Sequence, residues 1–284
     1  MSGGTPILDN HLHLQPKGRN IEAIKDFQRV GGTHAILSHL PYEEVPISEA
    51  EDFRDSYLIT TRMAERCNLE TEVRVEVTLG PYPVLLLGLS KSKGLDEGVE
   101  IMMRGMDIAQ EFVLEGKALA LGEIGRPHFP VPDEIMEASN RIMLYGMELA
   151  KEADCAVVLH TEHSGPEEML EFANMADSVG LERHRVVKHY SSPLVLDTEN
   201  HGIFPSVLAS RPAIREALEK GDRFLMETDF LDDPERPGAV MDIKTVPKRM
   251  RGLLESGALN REQAWKIHSE NPAKVYGKDF DLVI

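Results

Sequence analysis

Short apolar runs recur along the chain, each followed by a longer stretch in which apolar positions return at helical spacing. Ile7–Leu8, Thr33–Leu40, Thr71–Leu79, Lys117–Gly122, Cys155–Leu159, His184–Lys188 and Arg223–Thr228 read as strands. Between them, 20–29, 48–67, 95–114, 133–153, 166–179 and 212–220 read as amphipathic helices, and 245–255 and 261–269 as closing helices. Ser48 with Glu51 three residues on predicts a capped start for the second helix, and Gly31-Gly32 and Gly180 read as helix stops. Strands alternating with helices predict parallel pairing in an α/β fold, here a (β/α)8 TIM barrel. Pro205 falls inside the seventh strand segment, 203–209, so the seventh unit is expected to be irregular.

A polar, metal-competent side chain ends most of these runs, and the carboxyl ends of barrel strands converge on one mouth. The first strand runs into Asp9-Asn10-His11-Leu12-His13. Strand alternation puts His11 and His13 on one face, where both imidazoles can chelate a divalent ion. Glu123, His160, His189 and Asp229 follow the fourth, fifth, sixth and eighth runs. The bland alternatives are a turn cap for Glu123, a helix N-cap for Asp229 and ordinary polar strand ends for the histidines. Six such residues at strand ends in one topology favour a site. Arg126, His128, His39 and His163 also follow strands and are candidates for substrate contact, against a surface or supporting role. His34 begins its strand and should lie at the opposite end of the barrel.

The 284 residues, 42% hydrophobic and 28% charged, fit one domain spanning 1–284. A formal net charge of -17 argues against a protein that grips nucleic acid by broad phosphate neutralisation. Two cysteines far apart, Cys67 and Cys155, argue against a disulfide framework or a thiolate zinc site and for a reducing, cytoplasmic setting. No targeting pattern opens the chain, and the most apolar run, Val84–Leu89, is too short to cross a membrane.

Taken together, Asp9-Asn10-His11-Leu12-His13-Leu14, Gly122-Glu123-Ile124-Gly125, Val157-Val158-Leu159-His160, Val187-Lys188-His189-Tyr190-Ser191-Ser192, Glu227-Thr228-Asp229 and Glu270-Asn271-Pro272-Ala273 resemble the TatD-related metal-dependent hydrolases of the amidohydrolase superfamily. The resemblance implies two divalent ions, zinc first on ligand type, with manganese, iron, nickel or magnesium as alternatives. It implies that His11 and His13 hold one ion, that His160 and His189 hold the other, and that Glu123 bridges them. Asp229 would ligate the first ion and exchange a proton with the attacking water. Glu123 and Asp229 are thus the catalytic carboxylates.

The activity implied is hydrolysis of a phosphoester by a hydroxide held between the ions, as in a TatD-like deoxyribonuclease acting on single-stranded nucleic acid. The alternatives are a small-molecule phosphoesterase, lactonase or amidohydrolase on the same site, and a non-catalytic metal-binding scaffold. A PHP-type phosphoesterase also begins with H-x-H, but its further histidine-rich motifs are absent. No membrane association and no obligate protein partner are inferred, and the oligomeric state is left open. The chain departs from the family's pattern at Leu79-Gly80-Pro81, at Arg126-Pro127-His128, and in the acids Asp232, Asp233 and Glu235 after Asp229. These departures fall at positions expected to meet substrate.

Overall fold

The computed structural model describes residues 4–281. Its strands are β1 (Leu8–His13), β2 (His34–Ser38), β3 (Arg74–Leu79), β4 (Ala120–Gly125), β5 (Ala156–His160), β6 (Val186–Ser191), β7 (Phe204–Leu208), β8 (Leu225–Glu227) and β9 (Phe230–Leu231). They form one parallel sheet in the order β8-β7-β6-β5-β4-β3-β2-β1-β9. The two ends of that order, β8 and β9, are separated in the chain only by Thr228 and Asp229. The sheet therefore closes on itself through an interrupted eighth strand. Two contacts seal the seam: the Thr228 N–H donates to Asp9 Oδ1 at 2.9 Å, and the Asp229 N–H to the His11 carbonyl at 2.9 Å. The α/β barrel expected from the alternating pattern is the observed fold.

Helices α1 (Ile21–Arg29), α2 (Asp52–Glu70), α3 (Leu85–Lys93), α4 (Leu95–Leu114), α5 (Asp133–Glu152), α6 (Pro166–Val179), α7 (Asp197–Asn200), α8 (Arg211–Lys220), α9 (Thr245–Glu255), α10 (Arg261–Trp265) and α11 (Asn271–Tyr276) connect the strands and close the chain. Leu12, Leu37, Leu121, Val157 and Leu159 are fully buried in the layer between sheet and helices, with Phe27, Phe53 and Phe172 packed from the helix side. No helix among the described residues is long and apolar enough to cross a membrane.

Two local expectations change, and a run the sequence left unassigned forms a helix. The second helix starts at Asp52 rather than Ser48, because the Asp52 carboxylate itself accepts from the Ser48 and Glu49 backbone N–H groups, both at 2.8 Å. The run after Tyr82-Pro83 forms α3, which buries Leu86 and Leu89. The seventh strand forms despite Pro205 and is followed by the ten-residue α8, and the irregularity lies one unit earlier, in the four-residue α7 that joins β6 to β7. Pro205 keeps its place opposite Lys188, and the register slips just beyond it, where Ser191 pairs with Val207.

That slip belongs to a pattern. Between β1 and β2, Asp9 pairs with Ala35 and Leu12 with Leu37. Between β4 and β5, Gly122 pairs with Val158 and Ile124 with Leu159. Each irregularity gives one strand an extra residue, and the extra residues bracket His11, Glu123 and His189. A bulge re-aims a side chain that regular pleating would send elsewhere. Three of the candidate ligands thus stand where the barrel locally gives up its regular ladder.

Candidate metal centre

All six strand-end residues meet. Glu123 lies at the centre: its Oε1 is 2.9 Å from His11 Nε2, 3.1 Å from His189 Nε2 and 3.8 Å from His13 Nε2, and its Oε2 is 3.5 Å from His160 Nδ1. Asp229 Oδ1 lies 3.4 Å from His13 Nε2 and 3.9 Å from His11 Nε2. His11, His13 and Asp229 thus make one group of mutually close donor atoms, and Glu123, His160 and His189 another.

The backbone fixes this arrangement. An added Cβ on Gly122 would lie 2.6 Å from the Val158 Cβ, so only glycine lets β4 approach β5 just before Glu123. Gly125, at φ +137°, has no room for a Cβ against the His160 carbonyl. Asp229 sits at φ 49°, a left-handed conformation that aspartate tolerates better than most residues. That turn interrupts the eighth strand and presents the carboxylate to His13.

The outer nitrogens of the first pair are held by one residue. His13 Nδ1 donates to the Ser38 carbonyl at 2.9 Å, and Ser38 Oγ lies 3.0 Å from His11 Nδ1 and 2.9 Å from Thr78 Oγ1. With Nδ1 engaged in both rings, the two Nε2 atoms face each other across 3.1 Å and both face Glu123 and Asp229. Converging lone pairs and buried carboxylates are a donor set made for cations.

The electrostatics agree. Burial would raise the Glu123 pKa, but the imidazoles of His160, His189 and His11 hold it well below the carboxylate range. Burial also opposes charge on His13, yet Asp229 and Glu123 outweigh it and lift that pKa to about 9. The cluster calls for positive charge, which bound metal ions would supply. The imidazole and carboxylate donors fit them.

Sequence reasoning overlooked Glu227. Fully buried, it accepts from the Tyr190 N–H at 2.6 Å and from Ser206 Oγ, and its Oε1 lies 3.3 Å from His189 Nδ1. It approaches His189 from the side away from Glu123, and with His11 and His189 it makes a third group of mutually close donor atoms. Its spacing of two from Asp229, in an otherwise apolar strand, was the available signal. Asp9 was also given no role. Burial lifts its pKa to about 7, while the Thr228 N–H and Oγ, as donors, pull the other way.

The four candidate substrate contacts divide. His128 is exposed, with Nδ1 2.9 Å from His160 Nε2, so it reaches the cluster from outside. His163 is exposed on the rim, 3.3 Å from Ser192 Oγ, and is not part of the cluster. His39 is not at the mouth: it is fully buried, with Nδ1 2.9 Å from Thr60 Oγ1 and Tyr42 and Tyr57 against its ring. Arg126 is not free to hold substrate. Its guanidinium forks onto Glu171 at 3.0 and 2.9 Å, bonds Glu162 and Asn140, and lies over Phe172. Asp232 likewise turns inward, accepting from the backbone N–H groups of Arg19 and Asn20 at 2.9 and 2.7 Å. His34 lies away from the cluster, beside Phe280.

Comparison with known proteins places this geometry. An uncharacterized protein of Methanocaldococcus jannaschii is 39% identical over 280 residues, 98% of each chain. A TatD-like protein of Archaeoglobus fulgidus shares the fold with a TM-score of 0.62 at 19% identity, covering 95% of this chain and 100% of that one. The phosphotriesterase homology protein of Escherichia coli, complexed with phosphate in its active site, does so at 0.60 and 13%, covering 96% and 99%. Both structural likenesses bear on the fold alone. The profile of the TatD related DNase family matches residues 8–277, and the chain belongs to that family of metal-dependent hydrolases.

Proposed function

We propose that the protein is a two-metal hydrolase whose favoured bond is a phosphoester. The observation that carries this reading is the position of Glu123, whose two oxygens face the His11–His189 side and His160 respectively. His11, His13 and Asp229 would hold one ion and His160 and His189 the other, with Glu123 shared; zinc suits the donors best. Bound there, two divalent ions would lower the pKa of a water and neutralise charge on the attacking and leaving oxygens.

The chain's own groups supply the rest. Asp229 is within reach of both imidazoles of the first pair, and its free carboxylate oxygen can take the proton of the attacking water and return it to the leaving group. Ser38 and Glu227 keep the imidazoles turned inward from two sides. Tyr82, its ring centroid 5.0 Å from that of His160, walls the site on the second pair's flank. The phosphate named in the active site of the Escherichia coli structure supports a phosphorus centre here, as does the family's description as DNases.

A second reading, hydrolysis of a small neutral ester, lactone or amide, draws on a different observation. A cavity of about 470 Å³ at the loops after β1, β2 and β9 is lined by Glu43, Glu44, Asp233 and Glu235 against only Lys17 and Arg236. Such a wall disfavours anions on that side. The deciding experiment is elemental analysis of the purified protein with a panel of phosphodiesters, phosphomonoesters, lactones and single-stranded oligonucleotides. Phosphodiester turnover lost on chelation and restored by zinc or manganese is the expected result. Lactone turnover alone would favour the second reading. Stoichiometric metal with no turnover on any substrate would point to a binding scaffold.

A further inference from the structure

Between α8 and α9 runs an open groove of about 560 Å³ on the outside of the barrel. Arg211 and Arg215 line it from α8, and Lys248 and Arg249 from α9, over an apolar floor that includes Ile214 and Leu253. Glu219 is the one carboxylate along it among the described residues. On a chain of net charge -17 most cations sit against acids, as Arg29, Arg54, Arg183 and Lys220 do. Among the described residues, none of the four groove cations has a carboxylate within 4.0 Å. Arg249 is committed only through Nε, to the Ala209 carbonyl at 3.0 Å. Burial and the nearby Arg211 guanidinium both press its pKa below the ordinary value. Unpaired like charges along one trough raise the energy of the bare surface and favour an arriving anion.

One end of the groove lies on the rim side of the barrel. Arg211 opens α8 just after β7, and α9 follows the loop beyond β9, so both helices begin at the carboxyl rim of the barrel. A short relay of contacts ties them to the cluster. His189 Nδ1 lies 3.3 Å from Glu227 Oε1, the Glu227 carbonyl accepts from the Ala209 N–H at 2.8 Å, and the Ala209 carbonyl accepts from Arg249. Elsewhere the rim carries the acidic wall of Glu43, Glu44 and Glu235. An anionic chain leaving the centre would be turned from that wall toward the α8–α9 side.

We propose that the α8–α9 groove is an anion-binding exosite that seats the phosphates of a single-stranded oligonucleotide whose scissile end lies at the metal centre. The assignment rests on the phosphoester reading of that centre. Guanidinium forks match phosphate oxygens, and the apolar floor can carry sugar and base faces. With no aromatic ring along it among the described residues, the groove would read charge rather than sequence.

The test measures binding apart from chemistry. A labelled, hydrolysis-resistant phosphorothioate strand of about twelve nucleotides is titrated by fluorescence anisotropy at several salt concentrations. The wild type is compared with Arg215→Glu/Lys248→Glu and with the milder Arg215→Gln/Lys248→Gln. Both positions are exposed, and thermal melting checks each fold. Charge reversal should weaken binding more than about tenfold, neutralisation less, and the neutral pair should flatten the salt slope by about two counterions. On a cleavable strand the loss should fall on KM rather than kcat. Equal affinity in all three proteins overturns the exosite. Equally tight binding of polyglutamate, or of a mononucleotide in place of the strand, overturns the assignment to an oligonucleotide. A wild type that binds the strand through these residues yet hydrolyses no phosphodiester sinks the reading of the metal centre instead, so the two failures are told apart.

Discussion

His189 is held between two carboxylates, with Nε2 3.1 Å from Glu123 Oε1 and Nδ1 3.3 Å from Glu227 Oε1. The second contact lies off the line of a formal hydrogen bond, and His189 Nδ1 makes no other. Behind it, Glu227 is pinned by the Tyr190 N–H and by Ser206, so the carboxylate cannot swing away from the ring. A buried acid held behind an imidazole limits where the ring can turn.

Glu227→Gln should therefore weaken metal binding by about 10- to 100-fold, with a parallel fall in turnover at limiting metal. Glutamine keeps the size and one acceptor oxygen, so folding should survive. Competition with a chromogenic chelator reads the affinity directly. Wild-type metal affinity in this variant would remove the orienting role.

Asp229→Asn should separate chemistry from folding. Asparagine tolerates the left-handed backbone at this position, φ 49°, and retains one oxygen toward His13, but it cannot take a proton. Turnover should fall about 10²- to 10⁴-fold with a stability change below about 1 kcal/mol. Steady-state kinetics beside a denaturant titration would check it, and an undiminished rate would remove Asp229 from proton transfer.

How much of this was legible depended on which interactions leave a trace in one dimension. The strands that carry His11, Glu123, His160 and His189 are apolar runs ending in a single polar residue, so barrel and cluster could both be read from pattern and order. The bulges that aim three of those residues could not, because a bulge depends on pairing between strands distant in sequence. Arg126 illustrates a second blind spot. Beside Glu123 in sequence it resembles a free cation at the mouth, but Glu162 and Glu171, 36 and 45 residues later, claim its donors. His39 fails for the same reason, since Thr60 on α2 turns it inward. Partners far along the chain decide whether a strand-end polar group faces substrate or supports the wall.

Gly122→Ala should damage the centre without touching a ligand. The added methyl would lie 2.6 Å from the Val158 Cβ, the residue with which Gly122 pairs across β4 and β5. Overpacking of this kind costs about 1–3 kcal/mol and would displace Glu123, the next residue, from its place between the histidine pairs. Lower melting temperature and reduced metal content should appear together. A variant with normal stability and full metal would show that β4 can yield here.

His39 should withdraw stability as pH drops below 6.5, against the opposite drift of Asp9 and Glu227, whose pKa values are raised to about 7 by burial. Burial, together with repulsion from His13, presses the His39 pKa down to about 3; burial likewise presses the His268 pKa down to about 4. Both rings are neutral in the folded protein while the unfolded chain protonates near 6.5, so the unfolded state takes up more protons in this window. Their contribution is complete above pH 6.5 and is lost as pH falls toward 4 and then 3, at about 1.4 kcal/mol per pH unit for each. His39→Gln keeps a polar group for Thr60 but removes the titration, so its stability between pH 7 and 5 should decline less steeply than that of the wild type, by about one proton's slope. Urea titrations at several pH values with chelator present keep metal release out of the comparison. Parallel pH profiles for the two proteins would mean that His39 is not buried as a neutral ring.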